Sequence, residues 1–181
     1  VFGDKVHPIP IGLMRDYNEG ANRKEVLLNM IPDTSKPTNL LYINHTLHNN
    51  PIRIKINRFF NKFNWATIVV PGYISYKDSF YRDYLLNIKN HKFVLCAPGN
   101  ADKCDCHRTW ETIYMRRVPI IEDSSFHRAL MKDIPTLFVK SFFNVTERLL
   151  IDNDYLYQEM QNFDLSKLDY EKIYHSILKK H

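Results

Sequence analysis

Apolar residues along this chain fall into short uninterrupted runs, separated by stretches in which they recur every three or four positions. LLYINHT at 40–46, WATIVV at 65–70, KFVLCAP at 92–98, VPIIE at 118–122 and PTLFVK at 135–140 are compact runs. Such runs predict strands buried on both faces. The intervening segments NRKEVLLNMI (22–31), NNPIRIKINRFFNKF (49–63), YKDSFYRDYLLNIKNH (76–91), CHRTWETIYMRR (106–117) and SFHRALMKDI (125–134) carry helical spacing. Asn50 and Pro51 supply a cap and a first-turn proline for the second helix. The lead-in HPIPIGL (7–13) reads as extended. The tail from 144 to 181 reads as helical to its end, with Tyr155, Leu156, Tyr170, Ile173 and Ile177 as a packing stripe.

Strands separated by single helices imply βαβ units, and hence a mainly parallel sheet covered on both faces. The expected fold is therefore α/β, a Rossmann-like parallel sheet flanked by helices with a helical C-terminal tail, forming one domain over 1–181. Ligands of such sheets bind outside the carboxyl ends of the strands. That rule selects two loops, 44–53 and 97–108.

Composition narrows the class. Hydrophobic residues make up 44% of the chain and charged residues 25%, as in a folded soluble protein. No apolar run approaches a membrane span. No basic-then-apolar leader opens the chain, and the expected location is cytoplasmic. The absence of an initiator Met suggests a piece of a longer parent. A net charge of +5 suits a phosphate-bearing partner without demanding nucleic acid. Three cysteines, two of them one residue apart, are a poor disulfide framework and point to a reducing compartment. Two Asn-x-Thr sequons, at 44–46 and 144–146, carry little weight without a leader.

The loop at 97–108 concentrates the reactive side chains. Between Asp102 and Arg108 stand two aspartates, two cysteines, a histidine and an arginine. Three chemistries fit such a cluster. A metal site would use Cys104, Cys106 and His107, but these are too close for a standard knuckle and no second Cys pair exists. A nucleophilic Cys106 would have its pKa lowered by a helix start beside His107 and Arg108, yet no triad completes it. An anion site would use the helix start itself, with Asp105 as cap. Arg108 lies one turn in and its fork can hold two oxygens of a phosphate. Glu111 would accept from ribose hydroxyls or hold Arg108. On this reading Arg108, Glu111 or Thr112, and Met115 line one face of the helix, and Trp110, Ile113, Tyr114 and Arg117 the other.

Other candidates follow from position. Arg53 sits in a first helical turn, where its charge opposes the dipole unless an anion is present, so Arg53, with Thr46 or Asn50, is a second phosphate or sugar contact. Glu122 and Asp123 end a strand at the ligand side; Glu122 would bind sugar hydroxyls, while Asp123 or Ser124 caps the next helix. Tyr73 would stack on a base. His45 and His48 read as loop histidines.

The segments FVLCAPGN, DCHRTWETIYMRRVPIIEDS and LMKDIPTLFVKSFFNVTERLL resemble the carboxyl-terminal half of exostosin-like glycosyltransferases. That family carries a PxGNG(x)DxHRxWExLxxGxIPIV segment followed by LPxLxVxxWxxVTxxLL. The likeness is best over 92–150 and looser elsewhere. It implies the donor-binding, Rossmann-like half of a GT-B glycosyltransferase, moving a sugar from a UDP-linked donor to a hydroxyl of a glycan or glycoprotein acceptor. A further domain of the parent would complete the enzyme, and no bound metal or other cofactor is expected. Asp105, His107, Arg108 and Glu111 fall on the family's D-x-H-R-x-x-E pattern, and Pro98, Gly99 and Asn100 on its loop. The sequence departs from the family at Ala101, at Lys103-Cys104, at Arg116-Arg117 ahead of Val118, and at Phe142 or Phe143 in place of Trp. The rival readings are a non-catalytic nucleotide-binding module and a single-stranded nucleic-acid binder. No glycine-rich loop follows the first strand, which disfavours methyl transfer.

Overall fold

Each apolar run becomes a strand and each periodic segment a helix, with ends shifted by at most four residues. The computed structural model describes residues 8–13, 23–31, 35–71, 78–100 and 104–168. Helix α1 is Arg23–Met30, then β1 (Asn39–Asn44), α2 (Pro51–Phe60), β2 (Ala66–Val69), α3 (Asp78–Lys89) and β3 (His91–Leu95) follow. Helix α4 (His107–Tyr114), β4 (Val118–Glu122), α5 (Ser125–Leu130) and β5 (Leu137–Val139) complete the alternation. The five strands form one all-parallel sheet in the order β2-β1-β3-β4-β5. The α/β, Rossmann-like expectation holds.

The central strands explain why they read as unbroken apolar runs. Leu41, Tyr42 and Ile43 of β1, Phe93, Val94 and Leu95 of β3, and Ile120 and Ile121 of β4 are all buried, as a sheet covered on both faces requires. The edge strand β2 is the more open, with no buried residue and an end on exposed Val69.

The strand order creates the site. From β1 the chain steps outward through α2 to β2, then returns through α3 to β3 on the other side of β1. Right-handed crossovers place a helix leading one way on one face and a helix leading the other way on the opposite face. The loops after β1 and β3 therefore part, leaving a crevice at the switch point.

The tail is not one continuous helix. A 3-10 turn at Phe142–Asn144 precedes α6 (Glu147–Asp152) and α7 (Asp154–Asn162), and a second 3-10 turn covers Leu165–Leu168. Asn153 separates α6 from α7, and Phe163, with an extended backbone, ends α7. Leu156 and Tyr157 pack inward while Tyr155 faces solvent. Tyr170, Ile173 and Ile177 lie outside the described residues. The lead-in is irregular over 8–13.

The basic pair at 116–117 ends α4 where a glycine is the usual choice. Arg116 adopts a left-handed backbone at φ 54, and its Nη1 donates to the carbonyls of Gln161 and Phe163 at 2.9 Å each. It thereby satisfies carbonyls at the end of α7 and places a cation at the negative end of that helix. Arg117 turns inward and donates to the carbonyls of Lys89, Met115, Arg116 and Ser35. These bonds offset the conformational cost of Arg116, about 1–2 kcal/mol for a residue with a Cβ. Arg116→Ala should lower unfolding free energy by about 1–3 kcal/mol in urea titration, because the strain persists and the bonds are lost. Arg116→Gly should lose about 1 kcal/mol less, because the strain is also removed; equal losses would contradict the role given to the left-handed backbone.

Candidate functional site

The two loops are tied across the switch point by two side chains from the start of α2. Asn50 caps α2, its Oδ1 accepting from the Ile52 N–H at 3.1 Å, and its Nδ2 donates to the Gly99 carbonyl at 3.2 Å. Arg53 is buried at 5% exposure. Its Nε donates to the Pro98 carbonyl at 2.9 Å, Nη1 to the Thr46 carbonyl at 3.1 Å, and Nη2 to the Ala97 carbonyl at 3.4 Å. The first-turn arginine that opposes the dipole of its own helix is thus stabilised by three loop carbonyls. Burial, and then the charge of Arg108, lower the Arg53 pKa to about 10, so it remains cationic at neutral pH. Thr46 Oγ1 donates to Asn49 Oδ1 at 2.8 Å and accepts weakly from Arg53 Nη1. Gly99 offers its carbonyl, and Asn100 is exposed at the bend beyond it.

The start of α4 differs from the sequence expectation in its cap. Cys106, not Asp105, is the N-cap, and it makes no side-chain cap bond. The Asp105 carboxylate is drawn away by two other donors, Trp110 Nε1 at 2.7 Å and the Ile11 N–H at 2.9 Å. His107 Nδ1 donates to the Gly12 carbonyl at 2.9 Å, where Gly12 takes a φ of 71. Asp105 and His107 therefore pin the lead-in segment against α4.

Glu111 faces α3. It is 4% exposed and accepts from Tyr81 at 3.0 Å and Tyr84 at 2.7 Å. Burial raises its pKa, opposed by the Tyr84 hydrogen bond and by Arg108. Burial and the neighbouring Glu111 hold the Tyr84 hydroxyl well above its usual range, so Tyr84 stays a neutral donor. Residues 109–113 are all buried, so α4 is enclosed on almost every side and does not divide into a ligand face and a core face.

Arg108 is the member of the set without a partner of this kind. The residue is half-buried, but its Nε and Nη1 are shielded from solvent and lack a hydrogen-bond partner among the described residues. Its charge acts on His45 and Arg53 beside β1, on Cys96 and Cys106 beside β3, and on Tyr84 and Glu111 toward α3. That places the guanidinium at the switch point. Desolvation pulls its pKa down, but the ionisable groups around it, anionic at the high pH where a guanidinium titrates, more than offset this, and Arg108 stays charged. A buried cation with open donors is costly unless an anion or polar group meets it.

No protein-family profile matches the chain. No curated protein is significantly similar to it. The chemistry of the crevice therefore rests on its own geometry.

That geometry includes groups that the anion-site reading did not use. His45 lies in the loop just past β1, as expected, but it is fully buried there. Its Nε2 donates to the Arg53 carbonyl at 3.3 Å, leaving Nδ1 as a shielded acceptor without a hydrogen-bond partner among the described residues. The apolar run ending at His45 was the only hint, since a residue flush with a buried strand end shares its burial. Cys96 and Cys106 bracket the β3–α4 loop as free thiols. A hydrogen bond from Cys96 lowers the Cys106 pKa well below its usual value, and burial raises that of Cys96. Elsewhere, Glu122 Oε1 accepts from the Phe142 N–H at 3.2 Å, while Ser124 caps α5 by accepting from the His127 N–H. Asp123 pairs with Arg128 at the surface. Tyr73 lies outside the described residues. Among the described residues no set of three His, Cys, Asp or Glu side chains is arranged to hold a metal ion, and no helix is long and apolar enough to cross a membrane.

An apolar groove of about 390 Å³ between α1 and α3 is lined by Val26, Asn29, Met30, Ser79 and Arg82. It contains none of the crevice residues, and we place the site at the crevice because the unpartnered charge is there.

His45 gives the site a pH signature. Burial, then the charges of Arg108 and Arg53, lower its pKa from 6.5 to about 3. Between pH 6.5 and 3 the unfolded chain binds a proton at His45 that the folded chain does not. Stability is therefore retained above 6.5 and falls as pH drops through this window, at a limiting slope of about 1.4 kcal/mol per pH unit. His45→Asn should flatten the stability-versus-pH curve between 6.5 and 3 by up to that slope. An unchanged curve would show that His45 is not buried as a neutral imidazole.

Proposed function

We propose that the crevice between β1 and β3 binds the diphosphate of a nucleotide sugar, and that this domain supplies the donor side of a glycosyltransferase. The observation that carries the anion site is the Arg108 guanidinium, whose shielded Nε and Nη1 have no partner among the described residues. The α2 and α4 starts and the Arg53 charge add to the positive field there. The class of ligand rests on the resemblance over 92–150 to exostosin-like glycosyltransferases. One feature supports that alignment: Arg116, at the position where the family has glycine ahead of its IPI, has the left-handed backbone that favours glycine.

In this reading Arg108 supplies two converging donors for the phosphate oxygens. Arg53 and Asn50 act beneath it as positioning residues, holding the 97–99 carbonyls while Arg53 adds charge. As the glycosidic bond of the donor breaks, negative charge grows on the leaving diphosphate, and fixed cations stabilise it there. Glu111 keeps α3 against α4. Glu122 and Asn100 lie at the margin as sugar contacts, and the acceptor and its base belong to another part of the enzyme.

The nucleic-acid alternative fits the surface less well. Phe59, Phe60 and Phe143 pack edge-on, Phe63 stacks on Trp65, and Lys62 covers Phe59 and Phe63. Those rings serve packing rather than an open base-stacking platform.

Calorimetric titration of UDP, GDP and UDP-sugars into the wild-type chain and its variants tests the proposal. UDP should bind, and Arg108→Ala should weaken it by about 10–100-fold, the worth of a charge-assisted pair. Arg108→Lys should recover only part of the loss, because an ammonium cannot hold two oxygens in the same fork. UDP affinity unchanged in Arg108→Ala would overturn the site, and binding of oligonucleotides with UDP inert would favour the rival.

A further inference from the structure

Arg108 follows a carboxylate by three residues and is not bonded to it. Its shielded Nε and Nη1 have no hydrogen-bond partner among the described residues, although Asp105 lies just before the helix that carries it. A carboxylate at that place is within reach of an arginine in the first turn, and aspartate is also a preferred cap for such a turn. Asp105 does neither. Its Oδ2 accepts from Trp110 Nε1 at 2.7 Å and from the Ile11 N–H at 2.9 Å. The cap position falls to Cys106, which makes no side-chain cap bond.

The two donors that hold Asp105 differ in origin. Trp110 is a buried residue of α4 itself. Ile11 lies 94 residues earlier, in the described lead-in segment 8–13. That segment offers its backbone rather than its side chains, since Ile9 and Ile11 are 57% and 52% exposed. Pro8 and Pro10 have no amide to give and favour extended chain, so the Ile11 N–H is the first donor past Pro10. Gly12 takes a φ of 71, a conformation open to glycine at little cost, and its carbonyl accepts from His107 Nδ1 at 2.9 Å. The lead-in is thus tethered on both sides of Cys106, to Asp105 and to His107, and runs as a strap across the start of α4.

We propose that this strap keeps the anion site open: by holding the Asp105 carboxylate it prevents that group from neutralising Arg108. Releasing the strap removes one of the two donors that fix Asp105. The carboxylate then turns to the start of α4, where the uncapped turn and the Arg108 guanidinium both attract it. In that position it competes with an incoming anion for the same charge. Asp105 and Ile11 are therefore positioning residues that act through Arg108, and the proposal rests on the reading of Arg108 as the anion-binding group.

The test titrates pyrophosphate by calorimetry into the whole chain and its variants. Ile11→Pro removes the N–H that holds Asp105 and should weaken binding by about 3–10-fold. Gly12→Ala is a milder second variant. A Cβ there meets nothing within 4 Å, so it acts only through the strained backbone of the strap, and it should weaken binding by about 2–5-fold. Asp105→Asn keeps an oxygen for Trp110 and removes the charge. It should bind pyrophosphate at least as tightly as wild type, and in its background Ile11→Pro and Gly12→Ala should no longer matter. Wild-type affinity in both strap variants, or a loss that persists unchanged in the Asp105→Asn background, would overturn the strap while leaving the anion site standing. No pyrophosphate binding to wild type, or binding that survives Arg108→Ala, overturns the anion-site reading and the strap's role with it.

Discussion

In a sheet ordered β2-β1-β3-β4-β5, the chain must leave β1 and β3 toward opposite faces, because right-handed crossovers forbid any other route. Two adjacent strands whose loops diverge cannot cover each other's carboxyl ends. The polar backbone exposed there needs partners, and burying it without them is costly. This chain meets the constraint with Asn50 and Arg53, which reach from the start of α2 to the carbonyls of residues 97–99. These bonds join the described parts of the two loops to the start of α2.

There the charges are not balanced as they are elsewhere in the molecule. At the surface, Asp123 with Arg128 and Arg148 with Asp152 form simple pairs. At the amino end of the sheet, Arg117 is surrounded by carbonyls. At the crevice, Arg53 uses its fork on the loops, His45 is held neutral, and Glu111 is held by two tyrosines of α3. Arg108 carries its charge among them with shielded donors and no hydrogen-bond partner for its Nε and Nη1 among the described residues. Concentrating positive field in a low-dielectric crevice costs stability, which a bound anion would return.

The fold was legible from the sequence because burial on both faces leaves a plain trace: LLYI, FVL and VPII have no polar alternation to misread. The position of the two loops at the carboxyl ends of β1 and β3 followed from the strand-to-helix rule alone. Inside them legibility depended on distance along the chain. The capping role of Asn50 is local and was readable. The partner of Arg53 lies 45 residues away at Pro98, so its unfavourable place in a first turn was visible while its resolution by carbonyls was not. Asp105 looked like a cap from its neighbours, but Ile11, 94 residues earlier, competes for its carboxylate and leaves the cap to Cys106. The tail breaks at Asn153, where no proline or glycine announces the end of α6.

The central claim is that the Arg108 guanidinium is the anion-binding group of the crevice. Nitrogen-15 NMR of the arginine Nε–H groups, followed through a pyrophosphate titration, addresses it residue by residue. The Arg108 Nε–H resonance should move saturably as its donor gains an anionic acceptor, while the Arg53 Nε–H, already bonded to the Pro98 carbonyl, moves little. A titration that shifts Arg53 or surface arginines and leaves Arg108 unmoved would contradict the account.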